Sequence, residues 1–189
     1  METQYDKIEI FKKCKSTMQK TSRDTDSNDP RYMTQSQVKV VNFDKVKLKY
    51  ISGMGLAFTP CSNDALYIDA NGEYFFIEFK NGKMTRTMVY NVYNKIYDSL
   101  LIFNDIVKQN VSFCRENVNF ILVYNESKNP EDNEAPQDNP RAEIGKHFTK
   151  KAKKEFERFD LKRFEKLYLK NVRAYTEREF EEEFLAKLS

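Results

Sequence analysis

Histidine is nearly missing from this chain and tryptophan is missing altogether: His147 is the one imidazole among 189 residues. A single histidine leaves nothing to build a His-rich zinc centre from and makes a histidine-based triad a poor reading. A surface or capping His147 is the ordinary expectation. Cysteine is scarce too. Cys14, Cys61 and Cys114 are scattered, odd in number and form no C-x-x-C pair. That excludes a disulfide framework and predicts reduced thiols in a reducing, cytoplasmic setting. No apolar run reaches 18 residues, so no transmembrane helix is expected, and the first residues carry no signal-peptide pattern. With 5 Gly and 5 Pro the sequence is neither loop-dominated nor of low complexity. The net charge of +3 is small for a 32% charged chain, so no strong overall footprint for nucleic acid exists and the distribution of charge matters more than its sum. What is abundant is Phe and Tyr, 15 and 11 of them, within a 40% hydrophobic composition. That is enough apolar material for one domain over 1–189 with an aromatic-rich core.

Along the chain, Ile8, Phe11, Cys14 or Lys15, and Met18 recur at helical spacing and predict a first helix over about 5–20. Residues 21–37 are polar and turn-rich and read as a loop. Residues 38–41 and 46–51 are β-branched and alternating, the second with a basic outer face, and both read as strands. Residues 85–108 carry an apolar stripe (Val89, Val92 or Tyr93, Ile96, Leu100, Phe103, Val107) and read as a long helix. Residues 118–124 form a short, nearly continuous apolar run, the pattern of a mid-sheet strand that the helix reaches by a parallel crossover. Residues 125–141 are rich in Asn, Asp, Glu and Pro and read as an exposed loop and 144–158 as a basic helix, whereas 161–175 has an ambiguous pattern whose later part, 169–175, is compatible with a strand. Thr176 and Glu179 have capping-box spacing before a last helix whose apolar face is Phe180, Phe184, Leu185 and Leu188.

Residues 63–80 hold the strongest chemical signal. They read as a β-hairpin, 65–69 and 74–80, joined through Asn71-Gly72, a pair that tolerates the positive φ a tight turn requires. Alternate residues of a strand share a face. Phe76, Glu78 and Lys80 therefore point one way, and Phe75, Ile77 and Phe79 the other. Asp64, at the entry to the first strand, lies opposite Glu78 and Lys80. An acid pair and an ammonium on one strand face suit metal-dependent phosphodiester hydrolysis: Mg²⁺ needs only one or two carboxylates and keeps waters, and a lysine can orient the attacking water or stabilise developing negative charge. Both faces of the second strand are hydrophobic, so a Glu78 buried there would be costly unless paired or metal-bound.

Asp64, Glu78 and Lys80 resemble the motif of the PD-(D/E)xK nuclease superfamily, which includes many restriction endonucleases and junction resolvases. Asn63 stands where the family's dipeptide has proline. The family core is helix, three strands, helix, strand, and the predicted order over the first 124 residues matches it. The resemblance implies an α/β (α+β) fold: a restriction-endonuclease-like core over about 5–124, with a central mixed sheet of four to five strands flanked by helices, and a C-terminal helical extension over about 142–189. It implies a Mg²⁺- or Mn²⁺-dependent nuclease acting on DNA, or on RNA, with Asp64 and Glu78 as metal ligands and Lys80 as the catalytic lysine.

Asp69, beside the Asn-Gly turn, is a rival acid that ranks second because a turn-capping role explains it. Glu9 on the first helix is an extra acid of the kind some family members carry. Lys83 and Arg86, just past the motif, are candidates to contact phosphate. Between Lys146 and Arg173 eleven basic residues are interrupted by four acids and interleaved with aromatics such as Phe148, Phe156 and Phe164. That mixture suits a nucleic-acid groove, although a solvated charged face is the default reading. The alternative function is an inactive nuclease-like fold that binds a protein partner, as a toxin-immunity or regulatory protein does. A dimer is compatible with either reading, and a structural protein that oligomerises through its aromatic surface is a third.

Overall fold

A computed structural model describes residues 7–24, 31–130 and 158–188. All but the last residue of the predicted helix 144–158, most of the loop 125–141, and His147 lie outside the described residues. Among the described residues no helix is long and apolar enough to cross a membrane.

The frame is a mixed sheet of six strands: β1 (Lys15–Thr17), β4 (Lys39–Asn42), β5 (Ala65–Ile68), β6 (Tyr74–Lys80), β7 (Val118–Tyr124) and β8 (Asn171–Thr176), adjacent in that order. The steps from β1 to β6 are antiparallel, and β6, β7 and β8 run parallel. The sheet is thus larger than the expected four to five strands, and it does not stop at residue 124. β8 extends it with six residues paired to β7. All seven residues of β7 are buried, as a strand covered on both faces requires. The hairpin is where the alternation put it. Its turn is built by Asp69, whose Oδ1 accepts from the N–H groups of Asn71 and Glu73, and Gly72 adopts φ +85°.

Helices cover both faces. On one side lie α1 (Glu9–Lys13), α3 (Phe43–Ile51) and the 22-residue α4 (Arg86–Val107), together with a 3-10 segment, Arg158–Phe164. Phe11, Phe43, Val46, Leu66, Phe76, Ile96, Phe103, Phe120 and Phe164 pack there. On the other side Phe180, Phe184 and Leu185, from the helical segment 177–188, close over Ile77, Phe79, Ile121 and Val123. Phe180 meets Phe79 edge-on at 5.7 Å. The capping box that begins this segment is formed: Thr176 Oγ1 accepts from the Glu179 N–H, and Glu179 Oε2 accepts from the Thr176 N–H at 2.8 Å. Thr176→Ala should therefore lower stability by about 1 kcal/mol, read as a lower urea midpoint with an unchanged m-value.

Several local expectations are corrected. The single helix over 5–20 is instead α1, β1 and a one-turn α2 (Met18–Thr21). Phe11 and Cys14 belong to the α4-side core and Met18 to the opposite core, so the chain crosses the sheet plane between them, and a straight helix could not do that. The strand over 46–51 is α3. Asn42 caps it by accepting from the Lys45 N–H at 2.8 Å, and Phe43 and Val46 face inward while Leu48 is exposed. The expected loop 21–37 contains a small antiparallel pair, β2 (Arg23–Asp24) with β3 (Arg31–Tyr32). A short helix that was not predicted, α5 (Val111–Asn117), capped by Asn110, precedes β7.

Candidate active site

The hairpin delivers its charges to the α4 side of the sheet. Ala65 pairs with Ile77, and carrying that register one residue on places Asp64 across from Glu78. The Phe79 N–H donates to Asp64 Oδ2 at 2.7 Å, so the aspartate side chain extends the ladder where β5 has not yet begun. Lys80 Nζ lies 2.7 Å from Glu78 Oε1. The predicted trio therefore converges at the C-terminal end of β6, beside the parallel β7. The carboxyl ends of parallel strands are where open α/β sheets form their ligand crevices.

A fourth member was missed from the sequence. Lys95 of α4 reaches down between the acids, with Nζ 2.6 Å from Glu78 Oε1 and 3.2 Å from Asp64 Oδ1. One face of α4 also fixes the backbone that presents Asp64. Asp98 accepts from the Cys61 N–H at 2.7 Å, and Ser99 Oγ accepts from the Asn63 N–H at 2.8 Å. This second bond gives a physical reason for the departure from proline at 63: a proline has no N–H to donate. The signal was present in the sequence, because Lys95 and Ser99 interrupt the core-facing stripe of Val92 and Ile96 one turn apart. Their partners, however, are distant in sequence: Glu78 and Asp64 are 17 and 31 residues from Lys95, and Asn63 is 36 from Ser99.

Burial is graded across the cluster. Glu78 is 0% exposed, and the side chains of Lys80, Asp64 and Lys95 are 15%, 17% and 21% exposed. Burial, reinforced by the charge of Glu78, pushes the Asp64 carboxyl up to about 7, against the opposing pull of Lys95 and Lys80. Burial alone would depress Lys95, but the charges of Glu78 and Asp64 outweigh it and hold this lysine well above its ordinary range. Glu78 is used asymmetrically. Both ammonium groups sit on Oε1, while Oε2 is buried with no hydrogen-bond partner. A bare buried carboxylate oxygen is expensive, and a hard divalent cation is the kind of partner it lacks. Asp64 and Glu78 would hold such a cation, with water or substrate completing its shell. Among the described residues no third acid, histidine or cysteine joins them in a metal-sized group. Asp44 of α3 is nearest in effect: it accepts from Ser62 Oγ, pairs with Lys47, and its charge reaches Lys95.

The other candidates are placed elsewhere. Asp69 is engaged in its turn, beside Glu73 and roughly 17 Å along the strand from Glu78 at about 3.4 Å per residue. Glu9 is exposed and paired with Lys13 on α1. Lys83 and Arg86 are exposed near the start of α4, with Arg86 over the Tyr90 ring and neither bonded to the cluster. The described aromatics of the basic stretch are largely core. Phe164 is buried and packs against Tyr93 and Tyr97, so it offers no stacking platform.

Compared with known proteins, the chain matches no family model, no curated protein and no solved structure.

Proposed function

We propose that this chain is a Mg²⁺- or Mn²⁺-dependent nuclease with a restriction-endonuclease-like core, hydrolysing phosphodiester bonds in DNA, or in RNA by the same chemistry. The observation that carries the reading is the convergence of Asp64, Glu78, Lys80 and Lys95, with one Glu78 oxygen buried and unpartnered. The run of antiparallel β4, β5 and β6, followed by α4 and the parallel β7, supports it as well, since that is the family's order of elements.

In this reading a bound divalent cation supplies an activated water and neutralises charge on the phosphate. Lys95 screens the two carboxylates from each other, which lets both sit in a poorly solvated corner. Lys80, partly exposed beside Glu78, is placed to orient the attacking water or to stabilise the charge that develops on the phosphate. Lys80→Ala should abolish Mg²⁺- or Mn²⁺-dependent cleavage of plasmid, single-stranded DNA and RNA while leaving the circular dichroism spectrum unchanged. A wild-type protein that cuts none of these substrates with either metal would overturn the reading.

A second reading rests on Lys95. With Asp64 ionised, two carboxylates and two ammoniums sum to zero, so the cluster is then a complete ion network without a metal, as an inactive fold serving as a protein-binding module would require. Metal titration separates the two. The nuclease reading expects Mg²⁺ or Mn²⁺ to raise the melting temperature in a way that depends on Asp64 and Glu78, and the binding reading expects no such shift.

A further inference from the structure

The loop 52–60 joins α3 directly to the segment that presents Asp64, and it carries large apolar side chains in solvent. Phe58 is 72% exposed, Met54 49% and Leu56 47%. Such a cluster on a chain of this size marks an interaction site. Gly53 and Gly55 bend the loop at φ +86° and +64°, and a Cβ at either position would meet nothing within 4 Å, so the loop stands clear of the body. Among the described residues no hydrogen bond holds residues 55–60. Its far end, by contrast, is pinned: the Cys61 N–H donates to Asp98. Asp98 is one helical turn from Lys95. Six residue steps separate Phe58 from Asp64, so the Cα of Phe58 lies within roughly 22 Å of that of the acid at about 3.6 Å per residue. A base one to three nucleotides from a phosphate at the Asp64–Glu78 pair lies in that range.

Lys45 and Lys49 are exposed on α3 just before the loop, while Lys80 and Lys95, beyond its pinned end, are held by Glu78 and Asp64. Exposed aromatic and apolar tips flanked by lysines, and continuous with a phosphate-cleaving site, fit a nucleic-acid strand: lysines track the phosphates while a ring takes a base face.

Building on the nuclease reading, we propose that loop 52–60 is the strand-gripping element of this protein, with Phe58 stacking on an unpaired nucleobase that flanks the scissile phosphate. The preferred substrate is accordingly a single strand or a frayed end, and not a closed duplex. The test uses the full chain and a fluorescein-labelled 20-mer single-stranded DNA, with Ca²⁺ in place of Mg²⁺, read by anisotropy. Phe58→Ala should bind about tenfold or more weakly, within the roughly 5- to 150-fold range of a single base stack, with an unchanged melting temperature. Abasic substitutions scanned along the oligonucleotide should weaken wild-type binding at one to three adjacent positions and leave Phe58→Ala indifferent there. Equal binding by wild type and Phe58→Ala, from a wild type that does cleave, would overturn the stacking role and leave the nuclease reading standing. A wild type that neither binds nor cleaves would remove both. A Phe58→Ala effect on light-scattering mass alone, without one on DNA binding, would reassign the loop to a protein contact.

Discussion

Glu78→Ala should lower the melting temperature by roughly 10 °C, the largest structural loss expected from any single change in the cluster. Glu78 is fully buried and is the acid on which both Lys80 and Lys95 converge. Its removal leaves two ammonium groups, each about four-fifths or more covered, with Asp64 as the one acid bonded to either among the described residues. Breaking a buried ion network by deleting one sign costs about 3–5 kcal/mol, and about 1 kcal/mol moves the midpoint of a chain this long by 2–4 °C. The desolvation already borne by the lysines drives this loss. Removing a lysine as well should therefore recover part of it. Lys95→Met alone should cost less than Glu78→Ala, because Asp64 can take up a proton and Glu78 keeps Lys80. The double change Glu78→Leu with Lys95→Met should be more stable than the sum of the single changes Glu78→Leu and Lys95→Met by 1 kcal/mol or more, since an apolar pair of similar volume is often as stable as a buried ion pair. Thermal unfolding of the four proteins at one pH measures the coupling. Strict additivity would mean that the two side chains do not share an ion network.

The same cluster marks how far the sequence could be read. The hairpin was legible because its signals are local: period-two alternation from Tyr74 to Lys80 and an Asn-Gly turn, with Gly72 at positive φ as that pair permits. α4 was legible because 22 residues repeat one stripe. Failure came where a short pattern supports two periods. Val46, Leu48 and Tyr50 alternate like a strand, but Phe43, Val46 and Tyr50 also step like a helix, and the Asn42 cap decides for the helix. Residues 8–18 have helical spacing although their buried members serve opposite faces of the sheet, which is tertiary information. Lys95 is the same case at the site. Nothing within four residues of it shows that the acids of another element lie beneath it. Asp64, Glu78 and Lys80 could be found because strand geometry links 78 to 80 and the turn links 64 to 78.

Asp64→Asn should stabilise the metal-free protein at pH 8, and the gain should vanish toward pH 4. The sign follows from the direction of the shift. Burial and the Glu78 charge raise the folded-state Asp64 to about 7 from its ordinary value of 3.8. Between those values the folded protein holds a proton that the unfolded chain has released, so the stability this group contributes is full below about pH 4 and is lost as pH rises through 7. At about 1.4 kcal/mol per pH unit, the window of roughly three units sets an upper limit near 4 kcal/mol. The loss of the Lys95 contact in the variant offsets part of that gain. Asparagine does not titrate, so the difference between wild type and Asp64→Asn should open steadily over pH 4–7 and level off above it. A divalent cation reverses the balance by favouring the ionised carboxylate. Mg²⁺ should therefore stabilise wild type more at pH 8 than at pH 5 and leave Asp64→Asn little changed, and metal-dependent cleavage should rise through the same pH range. Urea unfolding of both proteins at half-unit pH steps, with and without Mg²⁺, reads all three effects. Parallel pH profiles for the two proteins would mean that Asp64 ionises as a solvated surface acid does, and no Mg²⁺ stabilisation of wild type beyond that of Asp64→Asn would remove its metal role.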